Sequence, residues 1–239
     1  TRTKESPEYN GPRIASMELT ENTPSTLTTR ANTLSTGVYF RLIVFRKSGN
    51  NYVFQSAADY TSNGASSPVL KKGKLLTRSG TIRVIGYSFN TTAALGDIPA
   101  SYTYNTTKID IPNMNNDFMT YDSGDIANVN SLNYNLPVTF KQKLCKLTIS
   151  ISVTGFTSNT ISGCTGVYVK QGGNSTSWVI GSSAVAANTS NTASFNPNTN
   201  QTTTIHMVPF ASSRTITVHF NKLTVGNLIA NNADNIDIA

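Results

Sequence analysis

Apolar residues in this chain recur with a period of two, which is the spacing of β-strands, and no long stretch has the spacing of an amphipathic helix. Segment 13–20, RIASMELT, alternates Ala15, Met17 and Leu19 with polar residues. Segment 38–45 is apolar except for Arg41, which is typical of a central strand, and the sequence KSGNN after it predicts a hairpin. Short strands at regular spacing predict an all-β sandwich.

Segment 140–153, FKQKLCKLTISISV, changes its alternation part-way. Its apolar residues occupy one parity up to Leu144 and the other parity from Leu147. Because side chains of a strand alternate strictly between two faces, this flip requires either an inserted residue or a strand that leaves one sheet for another. Segment TITVHFNKLTV flips in the same way between Phe220 and Leu223.

Two similar flips far apart in the chain predict two tandem sandwich domains. We expect a flexible leader over 1–13, an N-terminal β-sandwich over 14–154 and a C-terminal β-sandwich over 155–239. Gly86, inside a strand pattern, predicts a bulge or a close approach of neighbouring backbone. The segment 90–136 has the least regular pattern, so it is either functional or carries short strands of its own.

The basic charge of the chain does not indicate nucleic-acid binding. The formal net charge is +7, but only 13% of residues are charged and the basic ones are scattered. The one cluster, Lys71-Lys72-Gly73-Lys74, lies between apolar stretches and predicts a solvated hairpin turn. We therefore expect no nucleic-acid partner.

Residue types suited to catalysis or metal binding are few. His206 and His219 each stand in an alternating strand beside apolar residues, without a cluster of partners. Asp117, Asp122 and Asp125 form the densest acidic group, but their spacing differs from that of calcium loops. We expect no catalytic residue, no cofactor and no metal, hence no enzyme.

A glycan-binding surface is the alternative function. Trp178 and Tyr168 lie in a polar, loop-rich stretch where exposed rings could bind sugars, and Tyr121 is a further aromatic candidate. A single Trp beside Val179 and Ile180 is more typical of a sandwich core.

Cys145 and Cys164 give an even cysteine count, which permits one disulfide in an exported protein. Cys145 lies in an otherwise apolar strand, however, where a buried free thiol acts as a small hydrophobic side chain. Both alternatives stay open. No segment reaches the roughly 20 consecutive apolar residues of a membrane span, and the first residues lack the apolar core of a signal peptide.

Several segments, taken in order, resemble the fimbrillin family of Bacteroidetes, the subunits and tip proteins of type V pili. The likeness spans about residues 30 to 225, with Gln142 where the family often has His. The matching segments are GVYFRLIVFRKSGNNYV, GTIRVIGYSFNTT, NNDFMTYDSG, VTFKQKLCKLTISI and IHMVPF.

This resemblance implies two transthyretin-like β-sandwiches and export as a lipoprotein precursor, held peripherally at the outer membrane by a lipid anchor. It implies a fimbrium at the cell surface, a role in cell adhesion, and other pilus subunits as partners, with surface glycans or proteins as further partners. Assembly in this family proceeds by donor strand exchange, in which a supplied strand fills an open sheet edge.

The family pattern also implies that an Arg-specific protease removes the first strand. Here Arg30-Ala31 follows the strand-like segment and a polar linker, so cleavage after Arg30 would release the row Ala15, Met17 and Leu19. Arg13 is the alternative, but cleavage there would leave that strand attached.

The chain departs from the family at its C-terminal end. Family members continue past the position of Val225 with further strands, whereas here only Ile236 and Ile238 alternate in the last residues. The second domain is therefore either incomplete at its C terminus or ends differently. The lipid-bearing cysteine is absent as well, as expected of a chain that starts after it.

Overall fold

The computed structural model describes residues 13–22, 34–64, 66–112, 117–129, 133–150, 161–165, 167–169, 176–186, 193–195, 202–209, 218–225 and 228–238. Every regular element within these residues is a β-strand, which confirms the predicted all-β class. The chain forms two compact units that divide after Gln142, and the segment Lys108–Phe118 belongs with the second unit. No helix in the described part of the chain has the length and apolar character of a membrane span.

The strands are numbered in chain order. They are β1 (Arg13–Asn22), β2 (Tyr39–Ser48), β3 (Asn51–Asn63), β4 (Ser66–Gly73), β5 (Gly80–Ser88), β6 (Lys108–Ile111), β7 (Met119–Val129), β8 (Asn133–Gln142), β9 (Cys145–Ser150), β10 (Ile161–Thr165), β11 (Val167–Val169), β12 (Thr176–Val179), β13 (Ala193–Phe195), β14 (Thr202–Met207), β15 (Val218–Val225) and β16 (Leu228–Ile238).

The first unit contains one seven-stranded sheet in the order β1-β8-β7-β5-β2-β3-β4. The pair β1 and β8 is parallel, and every other pair in this sheet is antiparallel. The sheet curls so far that β1 and β4, the two ends of the strand order, approach each other. One face of the sheet is thereby turned inward and buried.

The core of the first unit lies on this inward face. Its strand residues are Phe40, Leu42, Val44, Ala58, Tyr60, Ile82, Val84, Met119, Tyr121, Val129, Leu136, Val138 and Phe140. The opposite face of β2 is also covered, because the Arg41 guanidinium donates to the carbonyls of Gly96 and Asp97 and holds that segment against the sheet. Burial on both faces is what the nearly continuous apolar run predicts.

Two local predictions in the first unit are confirmed. The chain turns between β2 and β3 at Gly49-Asn50, where Gly49 has φ of +61°, a value that suits glycine. Gly86 marks a close approach: a Cβ at this position would lie 2.6 Å from Cδ2 of Leu42 and 3.2 Å from Cβ of Tyr121.

The two parity flips lie at different structural features. The first is a change of sheet: β8 ends at Gln142, and β9 begins at Cys145 and pairs with β14 in a separate two-stranded sheet. The second coincides with an irregularity in the β15–β16 ladder: β15 advances by two residues from Phe220 to Lys222, whereas β16 moves by five, from Ile236 to Asn231, so the extra residues lie in β16. The division of the chain therefore falls at the first flip, ahead of the expected boundary near Gly155, and residues 151–160 lie outside the described residues.

The lysine cluster is not a hairpin turn. Lys71, Lys72 and Gly73 form the last residues of β4, and the turn between β3 and β4 lies at Gly64. The expected solvent exposure of these lysines is confirmed. The prediction of a turn was wrong because Pro68, Val69 and Leu70 extend a strand up to them.

The second unit contains three small sheets among its described residues. One has the order β10-β15-β11-β13 with β16 on β15, and the pairs β6 with β12 and β9 with β14 form the others. Trp178 in β12 is buried, its ring lies tilted against Phe118 at 5.9 Å between ring centroids, and its indole N–H donates to the Ser182 carbonyl.

Candidate functional site

Strand β1 lies at an edge of the seven-stranded sheet. It pairs in parallel with β8, from Arg13 opposite Asn133 to Asn22 opposite Lys141, and β8 is its one ladder partner among the described strands. An edge strand can leave a sheet by breaking a single ladder, whereas a central strand must break two. We call the stretch of β8 from Asn133 to Lys141, against which β1 pairs, the β1 slot.

The register of β1 matches its apolar row to the core face of β8. Met17 lies opposite Leu136 and Leu19 lies opposite Val138, and these two β8 residues are fully buried. Ala15, the third member of the expected row, falls at a register shift between Ile14 and Ser16 and has no partner in the ladder. Two of the three predicted positions are therefore paired with a core residue of β8 in the ladder.

The other side of β8 has only a short ladder. Strand β7 pairs with β8 at Met119 opposite Gln142 and at Thr120 opposite Lys141. Beyond that point the hydroxyl of Tyr121 donates a hydrogen bond of 2.8 Å to the Pro137 carbonyl. A side chain thus satisfies a β8 carbonyl where the ladder has ended, and β1 supplies the longer of the two ladders of β8.

Apolar packing holds β8 in place besides these bonds. Phe140 packs edge-on against Phe40 at 5.5 Å between centroids and near Tyr121 at 6.3 Å. Burial raises the pKa of the Tyr121 phenol well above its ordinary value, so this hydroxyl remains a donor at every physiological pH. The β1 slot is therefore a stretch of strand that apolar packing holds in place and whose backbone edge hydrogen-bonds another strand.

Comparison with known proteins supplies a fold-level match. No protein-family model and no curated protein matches the sequence. Among solved structures, the fimbrial anchor protein Mfa2 from Porphyromonas gingivalis matches with a TM-score of 0.56 and 10% identity, over 94% of this chain and 80% of that one. A candidate cell adhesion protein from Bacteroides uniformis matches with a TM-score of 0.53 and 14% identity, over 95% and 82% of the two chains.

This chain has the fold of Bacteroidetes fimbrial proteins. The match supports the resemblance to fimbrillins at the level of the fold, while the two tandem transthyretin-like sandwiches stay a prediction. At identities of 10% and 14% it concerns the fold and not the activity.

Within this fimbrial fold, the predicted processing residues are only partly described. Arg30 and Ala31 lie outside the described residues, so cleavage after Arg30 stays a prediction. Arg13, the alternative, is the first residue of β1 and is already paired with Asn133. Cleavage at Arg13 would leave β1 in the sheet, as the sequence argument expected.

The two cysteines lie on different strands of the second unit. Cys145 in β9 is a free thiol whose Sγ lies 3.3 Å from the Met207 carbonyl, and burial raises its pKa. Cys164 lies in β10, opposite Leu223 of β15, and its side chain is outside the described set. The structure has Cys145 unbonded, so of the two alternatives it supports the free thiol.

The histidines and aspartates singled out in the sequence lie in ring contacts, strands and ion pairs of the fold. The His219 ring is buried against Tyr168 at 4.5 Å between centroids, and His206 lies half-buried in β14. Asp122 accepts two hydrogen bonds from Arg83, and Asp125 accepts one from Lys47 at 2.6 Å. Within the described residues, no group of three or more His, Cys, Asp and Glu side chains could hold a metal ion.

The aromatic residues considered for glycan binding are buried or half-buried. Trp178 and Tyr121 are buried, which confirms the core interpretation of Trp178, and Tyr168 is half-buried against His219. None of the three offers a fully exposed ring face to a sugar.

Sequence reasoning missed the bond between Tyr121 and Pro137 and the closeness of β1 to β4. A signal for the first was present, because a proline within an alternating segment cannot donate to a ladder and indicates an edge or a short pairing. The second follows from the curl of the whole sheet, which no local pattern specifies.

Proposed function

We propose that this protein is a non-enzymatic subunit of a bacterial surface pilus, and that it assembles when another subunit's strand takes the place of β1. The observation that carries the proposal is the edge position of β1 on β8. The fold shared with a fimbrial anchor protein and a candidate cell adhesion protein supports the same role. Tandem transthyretin-like sandwiches, a lipid anchor on the precursor and a place in the fimbrium at the outer membrane belong to this proposal.

In this mechanism a protease cleaves after Arg30 and thereby separates the β1 segment from the rest of the chain. The released segment is then held only by its ladder and its packing. Each backbone hydrogen bond of the ladder contributes a net stabilisation of about 1 kcal/mol. An incoming strand that forms the same number of hydrogen bonds can therefore replace the β1 segment. The incoming strand hydrogen-bonds β8 and pairs with Leu136 and Val138, as β1 does.

The position of β8 favours such an exchange. When β1 leaves, β8 keeps its short ladder to β7, its bond from Tyr121 and the packing of Phe140. The β1 slot then remains an ordered template with an exposed backbone edge. An exposed edge of this kind binds another strand readily.

Limited digestion with an Arg-specific protease tests the proposal. We expect mass spectrometry to find cleavage after Arg30, and gel filtration to find higher-order species once residues 1–30 have dissociated. An Arg30→Gln variant should stay intact and monomeric, whereas Arg13→Gln should behave as the unaltered chain. If the nicked protein merely unfolds, or if cleavage after Arg30 never yields assemblies, the mechanism is wrong.

A further inference from the structure

Strand β4 forms the second boundary of the space that β1 occupies. It is the last strand of the sheet order, at the opposite end from β1, yet the two strands approach each other because the sheet curls. Removal of β1 would therefore open the first unit between β8 and β4. A strand that enters this space meets the ladder edge of β8 and lies beside β4, whose residues Val69 to Lys72 stay exposed with β1 in place.

The accessible side chains of β4 are basic and apolar. Lys71 and Lys72 are exposed, and so are Val69 and Leu70, whose side chains remain 44% and 50% accessible. The β3–β4 ladder shifts register at Lys71, between Leu70 opposite Tyr60 and Lys72 opposite Asp59. Lysines, a proline and bulges are devices that keep an edge from pairing with other strands, so β4 is a poor template for a ladder.

Lys72 already binds one carboxylate. Its ammonium forms an ion pair with Asp97, whose side chain is almost fully exposed. The hydrogen bond from Lys72 lowers the pKa of Asp97 below its ordinary value. A carboxylate can therefore be held at this end of β4 without burial.

The resident strand has the complementary composition. The sequence of β1, RIASMELTEN, contains two acidic residues, Glu18 and Glu21, and one basic residue, Arg13, which opens the strand, whereas the whole chain is only 13% charged. Glu18 lies opposite Pro137 and Glu21 opposite Phe140 in the ladder. The segment that occupies the space thus combines apolar positions for β8 with two acidic residues.

We propose that the basic strand β4 selects the incoming strand, and that this strand is an extended segment of another subunit with carboxylates between its apolar residues. This inference rests on the proposed strand exchange and adds that the exchange prefers incoming strands with acidic side chains. Strand β8 hydrogen-bonds an incoming strand of any sequence, because ladder hydrogen bonds join backbone groups and do not depend on the side chains. Lys71 and Lys72 favour acidic strands and repel basic ones, which keeps strands of the wrong charge out of the space.

A peptide exchange experiment tests this selection. The full chain is nicked after Arg30 and mixed with fluorescent peptides of the sequence 13–22, in the native form or as Glu18→Gln/Glu21→Gln. Exposed ion pairs each change an affinity by a small factor that salt reduces. We expect the native peptide to bind about fivefold more tightly than the Gln peptide at low ionic strength, with a smaller difference at high salt.

Two protein variants locate the effect. In Lys71→Gln/Lys72→Gln the two peptides should bind equally, whereas Lys108→Gln, which changes an exposed lysine of the second unit, should keep the difference. Equal binding of both peptides to the unaltered chain overturns the charge selection and leaves strand exchange intact. Failure of the native peptide to exchange at all overturns the proposed function and this inference together.

Discussion

The Tyr121 hydroxyl and the Pro137 carbonyl are joined by a hydrogen bond of 2.8 Å, at the point where the ladder between β7 and β8 has ended. Strand β8 therefore does not depend on β1 alone to stay in the sheet. An exchange of edge strands requires β8 to stay in the sheet when β1 leaves. If β8 left together with β1, the incoming strand would have no backbone edge with which to pair.

Replacement of Tyr121 by Phe should loosen β8. The change removes the donor and leaves a carbonyl in a partly buried position without its partner, which typically costs about 1–3 kcal/mol of unfolding free energy. Denaturant unfolding measures the loss, and hydrogen exchange at Leu136 and Val138 should become faster. Tyr39→Phe, at a half-buried tyrosine on β2, is the matched control and should change stability little. Unaltered exchange in β8 would contradict the anchoring role of Tyr121.

Gly86→Ala should destabilise the first unit. A Cβ at Gly86 would lie 2.6 Å from Cδ2 of Leu42 and 3.3 Å from the Arg41 carbonyl, so the buried side chains would have to shift. Overpacking of this kind costs about 1–3 kcal/mol. A double-mutant cycle with Leu42→Ala, followed by thermal unfolding, tests the cause. Leu42→Ala should reduce stability less in the Gly86→Ala background than in the unaltered chain. Strictly additive stability changes would contradict a clash between the new Cβ and Leu42.

Local patterns predicted the strands well because each depends on neighbouring residues. The alternation in 13–20 gives β1, the apolar run 38–45 gives β2, and KSGNN gives the turn at Gly49. The parity flip after Leu144 was correctly limited to two causes. The sequence could not choose between them, since a bulge and a change of sheet invert the alternation alike.

The remaining features depend on residues far apart in the chain. The division after Gln142 and the return of Lys108–Phe118 to the second unit follow from which strands pair, not from composition. The lysines of β4 resemble a solvated turn locally, and only the approach of β4 to β1 gives them a candidate role. The parallel pairing of β1 with β8 likewise has no local signature.

Separate loss of either member of the Arg41–Asp59 ion pair should be costly. Nε of Arg41 lies 2.6 Å from one Asp59 oxygen and the second nitrogen lies 2.8 Å from the other, with both side chains buried. Removal of one partner leaves an uncompensated buried charge, which lowers the free energy of unfolding by about 3–5 kcal/mol. Arg41→Met and Asp59→Leu should each lower the denaturation midpoint strongly. The double variant should lose less than the sum, and faster hydrogen exchange at 96–102 should accompany Arg41→Met.

Stability should fall in acid partly through Asp125. Hydrogen bonds from Lys47 and Tyr52 lower the pKa of Asp125 below its ordinary value of 3.8. A carboxyl whose folded pKa is lowered stabilises the fold above the unfolded pKa, and this contribution disappears as the pH falls through the folded pKa. The loss should therefore occur below about pH 4 and shrink in high salt, because the group is exposed.

Thermal unfolding of the unaltered chain and of Asp125→Asn between pH 2 and pH 7 measures this contribution. The variant should be less stable at neutral pH, and the two curves should converge below pH 4. Asp110→Asn, at an exposed aspartate on β6, is the control and should run parallel to the unaltered chain. A constant difference across the whole pH range would show that Asp125 acts through its shape and not through its charge.

The Cys145 thiol should react slowly in the folded protein. Burial raises its pKa, and the thiolate is the reactive form, so little of it is present at neutral pH. Alkylation of the native chain at pH 7, followed by peptide mass spectrometry, should label Cys145 much more slowly than in the denatured chain. Equal rates would contradict the buried position. Complete protection in the denatured, unreduced chain would contradict the free thiol and support the alternative, a disulfide with Cys164, since a disulfide remains blocked after unfolding.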